Sequence, residues 1–133
     1  MEAELKAGQI FWLIIPLFKE RLKPRPFLLY KITAMDYVFL KITGVDKREK
    51  IDYIPQYILI RKPSSLYKSS FVDLNILIYI KHDLFLELLN KLGELKEQGQ
   101  TIFQKDFNEI TKGVIDCFSN EKFRGNRYEV RVK

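Results

Sequence analysis

The segment Tyr37–Gly44, with the sequence YVFLKITG, is the clearest indication of the fold in this chain. Its residues fall into two alternating sets, one being Tyr37, Phe39, Lys41 and Thr43 and the other Val38, Leu40 and Ile42. A period of two is typical of a strand that has one face buried. Gly44 follows and opens a turn, so the segment predicts a half-buried strand over residues 37–43.

Four more segments before His82 are rich in aromatic and branched apolar residues, and each predicts a strand. They are Gln9–Ile15, Phe27–Thr33, Ile51–Arg61 and Phe71–Ile80. Pro55, inside the third segment, predicts a bulge or a sheet edge there. Turn-forming residues separate the segments at intervals of about ten residues, a spacing typical of a small barrel or sandwich.

After His82 the apolar residues recur with the period of a helix. Asp83 can cap a first helix, whose apolar face is Leu84, Phe85, Leu88, Leu89, Leu92 and Leu95. A second helix is predicted to begin at Lys105 or Asp106, with an apolar face of Phe107, Ile110, Val114 and Phe118. The tail segment Tyr128–Val132 alternates as a strand does. The predicted fold class is therefore α+β, mainly β.

The composition is that of an ordinary globular protein, which we expect to form a single domain over residues 1–133. Its one cysteine, Cys117, cannot form an internal disulfide and suits a reducing cytoplasm. One cysteine and one histidine cannot supply a zinc cage, so no metal is expected. The apolar run Ile10–Phe18 is too short to span a bilayer and lacks a signal-peptide cleavage pattern. We therefore expect an unexported, cytoplasmic protein without membrane contacts.

The chain has an excess of positive charge, with 23 lysines and arginines against 17 acidic residues and a net charge of +6. Its isoelectric point of about 9.4 is compatible with a polyanionic partner such as RNA or DNA. A solvated lysine-rich surface explains the same excess. Charge alone therefore does not define a function.

Two residues at strand ends are candidates for phosphate chemistry. Arg25 stands between two prolines directly before a predicted strand, and the prolines restrict the backbone that aims its guanidinium. Its planar fork of donors suits a phosphate and the pentacoordinate transition state. Thr43 ends the alternating strand, where its hydroxyl can bind a phosphate oxygen or a ribose 2′-OH. The structural alternatives are a surface arginine paired with Glu20 or Asp46 and an ordinary strand threonine.

Interleaved cations and aromatic rings suit a single-stranded nucleic acid, because cations bind phosphates and rings stack on bases. The loop before Arg25 has this composition in Phe18, Lys19, Arg21 and Lys23. A second candidate group for RNA contacts is Lys68, Ser69, Ser70 and Asn75. The structural alternatives are a charged hairpin for the first group and a turn for the serines. His82 can act as an acid or base near neutral pH, but its place at a helix start favours a capping or surface role.

Five short motifs resemble, in order and spacing, the MazF/PemK-like toxins of bacterial toxin–antitoxin systems. They are Gly8-Gln9-Ile10, Arg25-Pro26-Phe27-Leu28-Leu29, Ile42-Thr43-Gly44, Ser65-Leu66-Tyr67-Lys68-Ser69-Ser70 and Lys91-Leu92-Gly93-Glu94-Leu95. The resemblance covers about residues 7–116 and leaves residues 117–133 as a basic C-terminal extension.

The resemblance implies a small, strongly bent SH3-like barrel that works as a homodimer and is neutralised by a cognate acidic antitoxin. Active members are endoribonucleases that cut single-stranded mRNA without a metal or another cofactor. The ribose 2′-OH attacks the adjacent phosphorus and leaves a 2′,3′-cyclic phosphate and a 5′-OH. By this resemblance Arg25 stabilises the phosphate charge and Thr43 assists proton transfer. Intramolecular attack needs orientation and charge stabilisation more than it needs a metal.

The chain departs from the family pattern at three positions. Gln9 replaces an aspartate, Gly44 replaces a serine and Ser65 replaces a glycine. These changes leave a second function open, in which the chain is a catalytically inactive SH3-like barrel that binds RNA or a protein, as the gyrase poisons of this fold do. The joint presence of Arg25 and Thr43 favours the nuclease.

Overall fold

The structure, a computed structural model, describes residues 5–15, 23–44, 56–59, 70–92, 97–119 and 128–132. Strands predominate over helices in this part of the chain, so the predicted class, α+β and mainly β, is confirmed. The elements are β1 (Gln9–Leu13), β2 (Arg25–Ile32), β3 (Asp36–Gly44), β4 (Gln56–Leu59), β5 (Ser70–Asp73), β6 (Ile76–Lys81), α1 (His82–Leu92), β7 (Gln100–Thr101), α2 (Gln104–Ser119) and β8 (Tyr128–Arg131).

Strand β3 is central to the sheet because it has three neighbours. The strands follow the order β4-β5-β3-β2-β1-β7, while β6 pairs with β3 and with β8. The first residues of β3 pair with β6 and its last residues pair with β5. The pairs are antiparallel except for β6 and β8, which are parallel. Among the described strands, the sheet does not close on itself.

Each face of the sheet has its own hydrophobic cluster. The cluster that includes α2 contains Ile10, Leu28, Leu40, Ile42, Val72, Leu74, Ile110 and Val114. The cluster that includes most of α1 contains Phe11, Leu13, Phe27, Leu29, Phe39, Ile78, Ile80, Phe85 and Leu88. The ring of Phe85 lies edge-on to that of Phe11, with centroids 5.2 Å apart. On β3 the set Val38, Leu40 and Ile42 is buried, whereas in the other set only Phe39 is buried and its neighbours are half-buried, so the predicted half-buried strand is confirmed.

The end of β3 is the more exposed part of the second face. Lys41 and Thr43 are half-buried, although Phe39, two residues earlier on the same face, is fully buried. The face of the sheet that α1 covers is therefore partly accessible to solvent at the C-terminal end of β3. The polar residues of the alternating set, Lys41 and Thr43, lie in this partly exposed part of the sheet.

The prediction of one continuous strand over Phe71–Ile80 is wrong. The structure divides the segment into β5 and β6, with a turn at Leu74-Asn75 between them. Between the pairs Ile42–Val72 and Phe39–Ile78 the chain advances three residues on β3 but six on its partner. The extra residues form a bend, so β5 and β6 follow β3 one after the other with a changed register.

Other predicted boundaries need smaller corrections. Helix α1 begins at His82 rather than at Asp83. The His82 amide donates to the carbonyl of Met35 at 3.2 Å, which ties the start of the helix to the turn before β3. Helix α2 begins at Gln104 and continues to Ser119. The short strand β7 was not predicted, since two residues show no period. No helix in the described ranges is long and apolar enough to cross a membrane.

The predicted C-terminal strand is confirmed as β8, and it is anchored to the sheet through side chains. Arg131 lies 3.3 Å from the Asp36 carboxylate and stacks over the ring of Tyr79 at 4.6 Å. Val132 is buried in the cluster with α1. Within the predicted strand Ile51–Arg61 the structure describes β4, whereas Pro55 lies outside the described residues.

Candidate active site

The two predicted catalytic residues lie on the same face of the sheet. Arg25 is the first residue of β2 and pairs with Leu13 of β1, so it belongs to the strand rather than preceding it. Phe27 is paired with Lys41 across β2 and β3. Arg25 and Thr43 each lie two residues beyond this last pair, so the alternation of both strands puts their side chains on the same face. Both side chains are half-buried, and Arg25 Nε is shielded from solvent.

A third polar residue, Asp73, completes this group. Thr43 pairs with Phe71 of β5, and Asp73 lies two residues further on the same face of β5. The carboxylate of Asp73 accepts a hydrogen bond from the Thr43 side chain and lies within electrostatic range of Lys41. Its Oδ1 is shielded from solvent and accepts no hydrogen bond from any residue that the structure describes. The strands thus bring together Arg25, Lys41, Thr43 and Asp73.

Burial changes the acidity of Asp73. The residue is 3% exposed, and this burial raises its pKa from 3.8 to about 6. The positive charge of Lys41 and the hydrogen bond from Thr43 both lower the pKa, but desolvation is the larger effect. An acid with a pKa of about 6 is mostly ionised at neutral pH and is still a better base than an exposed aspartate. Carboxylates with this property are common in catalytic sites.

The sequence did not reveal Asp73 as a candidate. It lies within the predicted continuous strand Phe71–Ile80, and no motif includes it. The signal that could have identified it is the sequence Asp73-Leu74-Asn75, in which two turn-forming residues interrupt the strand. A bend at this point places Asp73 at the end of a strand, and Thr43 is likewise near the end of its strand.

The remaining predicted RNA contacts are only partly described. Lys23 is exposed, two residues before Arg25, where it is accessible to a ligand of this site. Ser70 is buried and lies on the face opposite to that of Phe71, so the structure does not bring it to Thr43. Asn75 is buried in the bend at 1% exposure. The other predicted RNA contacts lie outside the described residues: Phe18, Lys19, Arg21, Lys68 and Ser69. The alternative partners of Arg25, Glu20 and Asp46, also lie outside them.

His82 is separated from this group. Its ring stacks on Tyr37 with centroids 4.2 Å apart, near the start of β3. Six strand residues from Tyr37 to Thr43 span about 20 Å. His82 therefore does not contribute to the chemistry at Thr43.

Two departures from the family pattern have structural roles. The Gln9 side chain accepts a hydrogen bond from the Lys6 amide at 2.7 Å and donates one to the carbonyl of Gly99 at 3.1 Å. It thereby ties the start of β1 to the segment before β7. Gly44 is the last residue of β3 and pairs with Ser70. Ser65 lies outside the described residues.

Comparison of the sequence with known proteins adds no further assignment, because no protein family matches the chain and no curated protein is significantly similar to it. Across the described ranges, no three His, Cys, Asp or Glu side chains are grouped so that they could hold a metal ion. The function must therefore be inferred from the chemistry of Arg25, Lys41, Thr43 and Asp73.

Proposed function

We propose that this protein is an endoribonuclease of the MazF/PemK-like toxin type, which cuts single-stranded RNA by attack of a ribose 2′-OH. The observation that carries this proposal is the hydrogen bond between Thr43 and the buried Asp73, on the face that also bears Arg25. A hydroxyl bound to a carboxylate base, with a guanidinium on the same face, combines a proton acceptor with a phosphate-binding cation.

The burial of Asp73 suggests how the proton moves. Because Asp73 is 3% exposed, we infer that it acts through Thr43, which is half-buried and nearer to solvent. The 2′-OH passes its proton to the Thr43 oxygen while Thr43 passes its own proton to Asp73. The 2′ oxygen then bonds to phosphorus, the bond to the 5′ oxygen breaks, and that oxygen takes a proton from water. Asp73 afterwards releases its proton to solvent.

Arg25 serves the phosphate in this mechanism. Charge accumulates on the two non-bridging phosphate oxygens as the 2′ oxygen attacks. A guanidinium can donate to both oxygens at once, and its contribution increases as their charge increases. Lys23, exposed just before β2, is placed to bind a neighbouring phosphate of the same strand.

The proposal includes the finer fold, an SH3-like barrel that forms a homodimer. The barrel part of this proposal is supported by the pairing of β3 with β6 at one end and with β5 at the other, and by the bend between β5 and β6. Small barrels turn their corners at such bends. A cognate acidic antitoxin would neutralise the basic surface, and co-expression of an acidic protein encoded beside this chain should then relieve its toxicity.

The direct test is cleavage of a long, mixed-sequence single-stranded RNA in the presence of EDTA. We expect wild-type protein to produce fragments with a 5′-hydroxyl, which polynucleotide kinase labels without prior phosphatase treatment. Arg25→Ala and Asp73→Asn should each reduce cleavage by roughly 100-fold or more. Lys31→Met is the control, because Lys31 is an exposed cation in the second half of β2.

The opposite result would be an RNA that wild type and Arg25→Ala leave equally intact. Binding of that RNA without cleavage would favour the inactive RNA-binding barrel. Inhibition of DNA supercoiling by gyrase would favour the gyrase-poison function. An RNA with 2′-O-methyl groups should resist wild-type protein, because it lacks the attacking hydroxyl.

A further inference from the structure

Lys41 lies beside the proposed catalytic group, although no sequence motif identified it as a candidate. Lys41 precedes Thr43 by two residues on β3 and pairs with Phe27 of β2. Its side chain therefore lies on the same face of the sheet as those of Thr43 and Phe27. Two strand residues span about 7 Å, which a lysine side chain can bridge. Its positive charge lowers the pKa of Asp73. Asp73 lies on β5 one residue beyond Val72, which pairs with Ile42 of β3.

The charges of the site show why a second cation is needed. RNA brings a negative phosphate to a face that already bears the Asp73 carboxylate. The charge of Arg25 offsets that of the carboxylate within this group of residues. Lys41 supplies the missing positive charge. Its half-buried position weakens solvent screening, so its effect is larger than that of a cation on an open surface.

We propose that Lys41 is a second phosphate-binding residue, which together with Arg25 holds the scissile phosphate of RNA on either side of Thr43. In the free protein Lys41 offsets the charge of Asp73, and in the complex it also donates to a phosphate oxygen. This inference is built on the proposed nuclease function. It adds a residue that the five family-like motifs do not include.

The role in phosphate binding can be separated from a structural role by its salt dependence. Each phosphate contact to a single strand contributes about 0.7 to the slope of log affinity against log salt concentration. For a 2′-O-methyl RNA, which cannot be cut, Lys41→Met should reduce that slope by about 0.7. Lys41→Arg should retain it, and the matched control Lys31→Met should leave it unchanged.

Cleavage and titration provide two further measurements. In single-turnover cleavage at neutral pH, Lys41→Met should be slower by roughly 10- to 100-fold, with Lys41→Arg partly rescued. In the free protein, NMR titration of the Asp73 carboxyl carbon should show a midpoint at higher pH in Lys41→Met, because the lysine charge lowers the pKa of Asp73. Lys41→Gln serves as the test variant if Lys41→Met does not fold.

The outcomes distinguish the two proposals. If wild type cuts RNA and Lys41→Met matches Lys31→Met in rate, salt slope and titration, the inference about Lys41 is overturned while the nuclease remains. If wild type cuts no RNA, the proposed function and the catalytic role of Lys41 are both overturned. A slower Lys41→Met with an unchanged salt slope also contradicts a phosphate contact.

Discussion

Replacing Asp73 by asparagine should increase the stability of the protein relative to wild type as the pH rises to neutral, although it should also slow cleavage by roughly 100-fold or more. The carboxylate is buried, and ionising it in the folded protein costs more than ionising it in the unfolded chain. Asparagine has a similar shape but carries no charge at any pH. Comparing Asp73→Asn with wild type therefore isolates the cost of this one ionisation.

The magnitude follows from the pKa shift. Burial raises the pKa of Asp73 from 3.8 to about 6, so over this interval the folded protein retains a proton that the unfolded chain has lost. The associated stability is fully present below pH 3.8 and is lost as the pH rises through about 6. A shift of about two units corresponds to about 3 kcal/mol.

Urea denaturation at a series of pH values measures this loss. Between about pH 4 and pH 7, the free energy of unfolding of Asp73→Asn relative to wild type should increase by about 2 to 3 kcal/mol. Asp116→Asn is a suitable control, because Asp116 is an exposed carboxylate on α2, and its difference from wild type should vary much less. A difference between Asp73→Asn and wild type that stays constant with pH would refute the reasoning.

Two further predictions concern packing away from the site. Tyr57→Phe removes the hydrogen bond of 2.7 Å from the Tyr57 hydroxyl to Asp106, which joins β4 to α2, and should cost about 1 kcal/mol of unfolding free energy. The comparison is Tyr30→Phe, and equal losses in the two variants would contradict a specific role for that bond. Val132→Ala should cost about 2 kcal/mol in thermal or urea denaturation, because Val132 is buried beyond β8. A loss no greater than that of Val130→Ala would mean that β8 does not contribute to the core.

Local sequence patterns predicted the elements whose periodicity extends over several turns or residues. The alternation in Tyr37–Gly44 predicted β3, and the apolar spacing after His82 predicted α1. These signals are reliable because each buried face requires apolar residues at regular positions. The same alternation also placed Lys41 and Thr43 on one face, which is half of the candidate site.

The other half of the site depends on pairing between distant segments. Asp73 becomes a partner of Thr43 only because β5 pairs with the end of β3, and a register is not visible in either strand alone. The bend after Asp73 was missed because its apolar neighbours continue on both sides. Arg25 was placed before β2 because Pro26 suggested a strand boundary, yet the pairing with Leu13 extends the strand to include it.

Packing on the opposite face explains why Asp73 remains buried. Leu74, the next residue, lies in the hydrophobic cluster that includes α2. A Cβ added at Gly113 of α2 would be 2.6 Å from Leu74 Cδ1, so the absence of a side chain lets the helix approach Leu74 closely. This contact holds Leu74 in the core and so restricts the backbone directly after Asp73. Helix α2, which bears none of the proposed catalytic residues, therefore helps to hold Asp73 in the buried position that raises its pKa, and so connects the core to the chemistry at Thr43.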